Sequence, residues 1–241
     1  MQHLPAPALL GRMATTLDII SGGRLAFGLG SGSIEEEHRR AGLPWGSAAE
    51  RAARLGETLE IVTRMFTGAP TTFAGAHYRV TELPNVPGPV QRPRPPIHLG
   101  GAGPKYTLPL VARYADVWNI PTYGLRDRPA LTAALERECA AIDRDPATIA
   151  RSHQAVLALA ADEAALPAVR ARAGRRYAAA AYGLADGYVG TPAMVAEQLA
   201  ERAAQGLDAI VFLVSPREAE ATMELFAAAV LPRLAEFSPG R

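Results

Sequence analysis

Cysteine is nearly absent: Cys139 is the single one in 241 residues. A lone thiol excludes an internal disulfide and any site built from several cysteines. It suits a reducing compartment, so a cytoplasmic location is expected. An excess of either charge is missing too, since 25 lysines and arginines face 24 aspartates and glutamates for a net charge of +1. That balance leaves no footprint for nucleic acid and no polybasic patch for a membrane surface. No apolar run approaches the roughly 18 residues that a bilayer span needs. The opening MQHLPAPALLGRMATTLDII lacks a basic start, an apolar block and a small-residue cleavage site, so it does not read as a signal peptide. What is plentiful is apolar material, 49% hydrophobic against 20% charged. That is enough for a sizeable core, in one large domain or two small ones, and the length also suits an α/β barrel.

Periodicity divides the chain into elements. Leu9, Leu10, Met13 and Leu17 recur at helical spacing over residues 7–19, with Pro7 near the start. Leu25–Leu29 is a short strand. Glu35 to Phe66 reads as helical with a break at Gly42 to Gly46. Its second half opens on Ser47-Ala48-Ala49-Glu50, a capping box, and carries Leu55, Leu59, Val62 and Phe66 as one apolar stripe. Over 68–96 the pattern changes to a small hairpin, Thr71–Phe73 against His77–Val80, followed by six prolines that make a stiff extended connection. Alternation then resumes: strand Ile97–Gly101, helix Lys105–Ala115, strand Asp116–Ile120, helix Pro129–Ile142, strand Gln154–Ala160 and helix Ala164–Ala181. A helix led by Thr191-Pro192 follows, then strand Asp208–Val214 and a last helix opened by Ser215-Pro216-Arg217-Glu218 as a second capping box. Strands apolar on both faces, Ala209–Val214 above all, imply a parallel sheet covered by helices, either a barrel or a doubly wound sheet.

Two glycine clusters close strands, FGLGSGS at 27–33 and HLGGAGPKYT at 98–107. Neither is a standard nucleotide motif. For G-x-G-x-x-G the third glycine falls on Ser33 or on Glu35, depending on register. For a Walker loop, Pro104 holds the glycine slot and Tyr106 the serine or threonine slot. The remaining chemistry is general. Glycines let backbone N–H groups approach an oxyanion, helix N-termini favour negative charge, and Lys105 adds a cation. Two such clusters on separate strands can share one phosphorylated ligand. The competing explanation, that glycine simply permits tight strand-to-helix turns, weighs about equally for either cluster alone.

The stretches MATTLDIISGGRLAFGLGSG, EEEHRRAGLPW, FAGAHYRV, PVQRPRPPIHLGGAGPKYTLPLVARYADVWN and GTPAMVAEQLAERAAQGLDAIVFLV resemble the luciferase-like monooxygenase family. Within it they look most like the branch that uses the deazaflavin coenzyme F420. The resemblance runs in order from about residue 7 to the C-terminus. It implies a TIM (β/α)8 barrel in a single domain over 1–241, a homodimer, and a deazaflavin or flavin whose phosphate lies near both glycine loops. TLDIISGGRL resembles the segment that leads into the fourth barrel strand. Strands 4–8 and their helices are therefore expected here, with strands 1–3 and two helices missing. In the family the third strand carries a backbone bulge that supports the flavin ring, and the first loops often carry catalytic side chains. A truncated barrel of this kind is expected to be oligomeric or poorly soluble and to bind coenzyme weakly.

The resemblance places Gly30, Ser31 and Gly32 in one phosphate loop and Gly100, Gly101, Gly103, Pro104 and Lys105 in the other. Trp118 ends the next strand, where barrel active-site residues belong, although a core aromatic is an equal reading. Ser33 departs from the sugar-phosphate dehydrogenases of this family, which tend to have an acid there. Glu35 and His38 have metal-ligand spacing but occur once, and acids at a helix start are explained by its dipole. No metal site is expected, and no catalytic residue is assigned. Glu37 matches an acidic family position, structural or on the cofactor side. His98 and His153 read as structural, Asp116 as a strand-start cap, and Arg170, Arg172, Arg175 and Arg176 as a solvated helix face. The expected activity is hydride transfer between F420 and a small organic substrate. The alternatives are an FMN-dependent monooxygenase of the same family and a non-catalytic partner subunit or remnant.

Overall fold

Small residues decide how the first helix packs. Helix α1 (Pro7–Ile20) buries Pro7, Gly11, Ala14, Thr15 and Asp18, while Leu9, Met13 and Leu17 are about half exposed. The helical spacing is thus real, but the apolar stripe faces outward. Gly11 explains the choice: a Cβ there would lie 2.8 Å from Sδ of Met65, so only a bare backbone sits this close to the next long helix. Asn85 completes the contact by donating to Thr15 Oγ1 and to the carbonyl of Met65.

The computed structural model describes residues 6–177 and 187–237. Those residues form two compact units, the first made of the chain up to Trp118 with Pro129–Ile149 and the second of Asn119–Arg128 with the chain from Ala150 onward. In the first, α1 leads to β1 (Phe27–Gly30), α2 (Glu35–Arg40) and α3 (Ala48–Phe66). The Ser47–Glu50 capping box forms in both directions. The hairpin is β2 (Thr71–Ala74) against β3 (Arg79–Leu83), antiparallel. Its turn is held by Glu57 of α3, whose carboxylate accepts from the N–H groups of Ala76, His77 and Tyr78. The proline-rich segment follows, then β4 (Ile97–Gly100), α4 (Thr107–Tyr114), β5 (Val117–Ile120), in which the chain passes into the second unit, and α5 (Arg128–Ala140). Leu55, Leu59, Val62 and Phe66 are buried as their spacing predicts, with Ile97, Leu99, Leu108, Val111 and Trp118.

The second unit contains β6 (Ala150–Leu159), α6 (Leu166–Tyr177), β7 (Tyr188–Gly190), α7 (Pro192–Ala204) and β8 (Ala209–Leu213). It ends in α8 (Ala219–Leu225), a π turn and α9 (Leu231–Phe237). Strand β6 pairs in parallel with β8 through Ser152–Val156 and with β7 through Leu157–Leu159. Ala155, Leu157, Tyr188, Val195, Leu199 and Val230 make its core. Two expectations fail here. Strand β8 is not buried on both faces: Ile210 and Phe212 pack on the core, but Val211 is half exposed. Alternate residues point to opposite faces, and an apolar sequence buries both only where both are covered. Ser215 caps nothing with its side chain. Its carbonyl accepts from the Glu218 N–H, closing a turn with Pro216 second, and the helix starts only at Ala219.

His3 and the end of the helix expected to reach Ala181 lie outside the described residues. Among the described residues, no helix is long and apolar enough to cross a membrane.

Candidate functional site

The two glycine clusters meet through strand register. Parallel β1 and β4 pair Phe27 with Ile97, Gly28 with His98, Leu29 with Leu99 and Gly30 with Gly100. Both strands therefore end level, and the loops Ser31–Ile34 and Gly101–Tyr106 leave side by side. The strand end that leads into the first loop is bare. A Cβ on Gly30 would come no nearer than 3.5 Å to the Gly100 carbonyl, and one on Gly28 would meet nothing within 4 Å. Open backbone of this kind suits a group held by N–H donors, such as a phosphate oxygen. Lys105, half a turn before α4, is exposed and is the only lysine in the sequence. It brings a compact cation to the loop, with Nζ 5.2 Å from the centre of the Tyr106 ring.

Each loop is backed by one of the chain's two tryptophans. Trp118 is fully buried, and its indole N–H donates to the carbonyl of Gly101 at 2.8 Å. It reaches the site through that carbonyl, as a support beneath the loop. Gly101 has a φ of +136°, where only glycine is at ease, and a Cβ would press within 2.9 Å of Thr107 Cγ2. The Gly103 carbonyl accepts from the N–H groups of Thr107 and Leu108, which starts α4. Under the first loop stands Trp45, whose ring meets that of His38 edge to face with centroids 4.7 Å apart.

The other expected residues take supporting places. Ser31 and Gly32 are half-buried in the first loop, while Gly103 is half-buried and Pro104 exposed in the second. His98 lies in β4, in register with Gly28 and two residues before Gly100. Burial holds its pKa below the ordinary imidazole value, opposed by the charge of Asp116. Asp116 does cap a strand start: it accepts from the Ile97 N–H at 2.7 Å and pairs with Arg94. His38 is buried, with Nδ1 3.0 Å from the Ile34 carbonyl. Glu35 and Glu37 are exposed. Glu36 accepts from Arg39 and Arg40, and those bonds hold its carboxyl below the usual range. In the second unit His153 is fully buried near Tyr188. Arg170, Arg172, Arg175 and Arg176 are exposed on α6, with Arg172 paired to Glu218 at 3.0 Å. Among the described residues there is no group of three or more His, Cys, Asp or Glu that could hold a metal ion. Trp45, Arg51 and Thr107 escape sequence reasoning. The one available signal is that a chain with two tryptophans places each about 15 residues after a glycine cluster, a weak pattern on its own.

Comparison with known proteins gives a consistent outcome. The family model described as luciferase-like monooxygenase matches residues 2–184. The F420-dependent hydroxymycolic acid dehydrogenase of Mycobacterium tuberculosis is 30% identical over 159 residues, which are 66% of this chain and 43% of that protein. The FMNH(2)-dependent dimethylsulfone monooxygenase of Pseudomonas putida is 35% identical over 97 residues, 40% of this chain and 27% of that protein. The chain thus spans less than half the length of the curated relatives it matches. Among solved structures, an F420-dependent secondary alcohol dehydrogenase in complex with an F420-acetone adduct superposes with a TM-score of 0.77 at 17% identity. That match covers 96% of this chain and 76% of the other, and the two share an α/β fold.

Proposed function

The chain belongs to the luciferase-like monooxygenase family, and from that premise we propose that it is an oxidoreductase that uses F420 to exchange a hydride with a small organic substrate. One observation carries the reading: the register that sets Gly30 beside Gly100 brings two glycine-rich loops to the same sheet edge. Gly30, Ser31 and Gly32 on one side, and Gly100, Gly101, Gly103 and Pro104 on the other, would hold the coenzyme phosphate. Lys105 would neutralise it, and Trp118 would steady the second loop from beneath. When bound, the deazaflavin ring supplies the redox chemistry, and the protein supplies anchoring and orientation. F420 is preferred to FMN because, of the two curated relatives, the F420-dependent dehydrogenase matches 66% of this chain and the FMNH(2)-dependent monooxygenase 40%. We take residues 1–241 as part of one barrel domain of that family, the part with strands 4–8, acting as a cytoplasmic homodimer.

Fluorescence titration with F420 and FMN tests this. F420 is expected to bind more tightly, and Lys105→Ala to weaken both about tenfold, the typical worth of one charge-assisted contact to phosphate. Tighter binding of FMN transfers the reading to a flavin-dependent monooxygenase. Binding of neither supports a partner subunit without activity of its own. The observation favouring that second reading is the exposed apolar face of α1, with Leu9, Met13 and Leu17 each about half exposed.

A further inference from the structure

The first glycine loop rests on a stack of side chains. Gly32 lies in the left-handed region with a φ of +81°. A methyl group there would stand 2.9 Å from His38 Cε1, 3.2 Å from His38 Nε2 and 3.4 Å from Trp45 Cζ3. The turn is therefore in contact with both rings through bare backbone. Trp45 in turn lies under Arg51, whose guanidinium carbon is 3.7 Å from the ring centre. Arg51 belongs to the first turns of α3 and donates to the Gly46 carbonyl at 2.8 Å. The sequence from loop to long helix is thus Gly32, His38 with Trp45, Arg51, α3.

We propose that His38 and Trp45 are positioning residues that hold the Gly30–Gly32 turn in its phosphate-binding shape. The inference rests on the phosphate reading of the site. A turn of Gly, Ser and Gly has no side chain large enough to define its own conformation, and glycine loses the most freedom on ordering. Its shape must come from what stands behind it. Helix α2, with six residues, is too short to be a stable base by itself. The aromatic stack ties the loop instead to α3, a 19-residue helix with a complete capping box. Preorganising the turn lowers the ordering cost of binding, so affinity depends on rings that need not touch the ligand. Loop two uses the same device in another form, a buried tryptophan holding Gly101 by its carbonyl.

Hydrogen exchange by mass spectrometry on the full chain, free of ligand, reads the positioning directly. In Trp45→Leu, peptides over 28–34 are expected to exchange about tenfold faster, while peptides over 100–106 keep their wild-type rates. His38→Phe, which keeps an aromatic ring but a larger one and loses the bond to Ile34, is expected to move the same peptide in the same direction. Trp45→Phe is expected to restore it. In parallel, the dissociation constants for FMN and F420 are expected to rise about tenfold in Trp45→Leu and to recover in Trp45→Phe. Equal rates over 28–34 in folded Trp45→Leu and His38→Phe would overturn the proposal, as would acceleration spread evenly over both loops, which marks a role in stability alone. Should the wild-type chain bind neither coenzyme, the phosphate reading fails, and the exchange pattern still decides the positioning by itself.

Discussion

Gly101 and Gly103 are two residues apart in one loop, yet alanine should affect them very differently. At Gly101 the backbone φ of +136° is one that side chains rarely adopt, and the added Cβ would lie 2.9 Å from a Thr107 methyl. Gly101→Ala is expected to lower stability by about 1–3 kcal/mol, the usual cost of a side chain forced into such a region. Gly103 has no positive φ, and its added Cβ would meet only the Thr107 hydroxyl at 3.1 Å. The Thr107 side chain has only to give by a few tenths of an ångström there, so Gly103→Ala should cost less than about 1 kcal/mol. Urea unfolding of both variants checks the order, and equal losses would show that loop strain is not the cause. Sequence reasoning marks both glycines as loop residues but cannot rank them. What separates them is the positive φ of Gly101, whose carbonyl is held by Trp118 from the next strand, a tertiary contact.

At the level of elements, the attachment of α1 to the proline-rich segment turns on Asp18. Its carboxylate, fully buried, accepts from the Val90 N–H, the Gln91 N–H and the Gln91 side-chain amide. Burial pushes the carboxyl up, but the bonds from Gln91 and Val90 together outweigh it and bring its pKa below the ordinary value. A depressed carboxyl stabilises the fold above its unfolded pKa and loses that contribution as pH falls through the folded one. Stability should therefore decline on acidification below about pH 4. Asp18→Asn should lose about 1–3 kcal/mol at pH 7, because one acceptor becomes a donor facing other donors. Its acid sensitivity should be smaller than the wild type's. Urea midpoints at pH 7 and pH 3 for both proteins test this, and parallel pH profiles would reject the assignment. A carboxylate accepting from a distant backbone N–H recurs, there just before a strand, at Asp116 with Ile97 and at Asp208 with Arg151. Asp116 is legible in the sequence as a cap. Asp18 is not, since its ligands lie 72 and 73 residues away.

Over the whole molecule, the exposed apolar residues set the expected behaviour in solution. Leu9, Met13, Leu17 and Ile20 on α1 are exposed, and so are Val211, Met223, Leu231 and Phe237 in the second unit. Stripes of this kind favour association. Sedimentation at micromolar concentration should show species heavier than the 25.5 kDa monomer, and a single monomeric boundary would reject self-association. Several features of this protein follow from the sequence by itself: the order of helices and strands apart from β7 (Tyr188–Gly190), which its periodicity does not reveal, the Ser47 capping box, the buried stripe of α3 and the parallel character of the later strands. These are local, since hydrophobic period, capping chemistry and turn residues act within a few positions. Membership of the family was legible for the same reason, in runs of neighbouring residues such as HLGGAGPKYT. The tertiary structure alone decided which side of α1 is buried, because Gly11 fits against Met65 where a leucine does not. It alone exposed one face of β8, placed Gly30 beside Gly100, and set a tryptophan under each loop. Those outcomes depend on contacts between residues far apart in the chain, where close packing chooses among alternatives that local periodicity leaves equal.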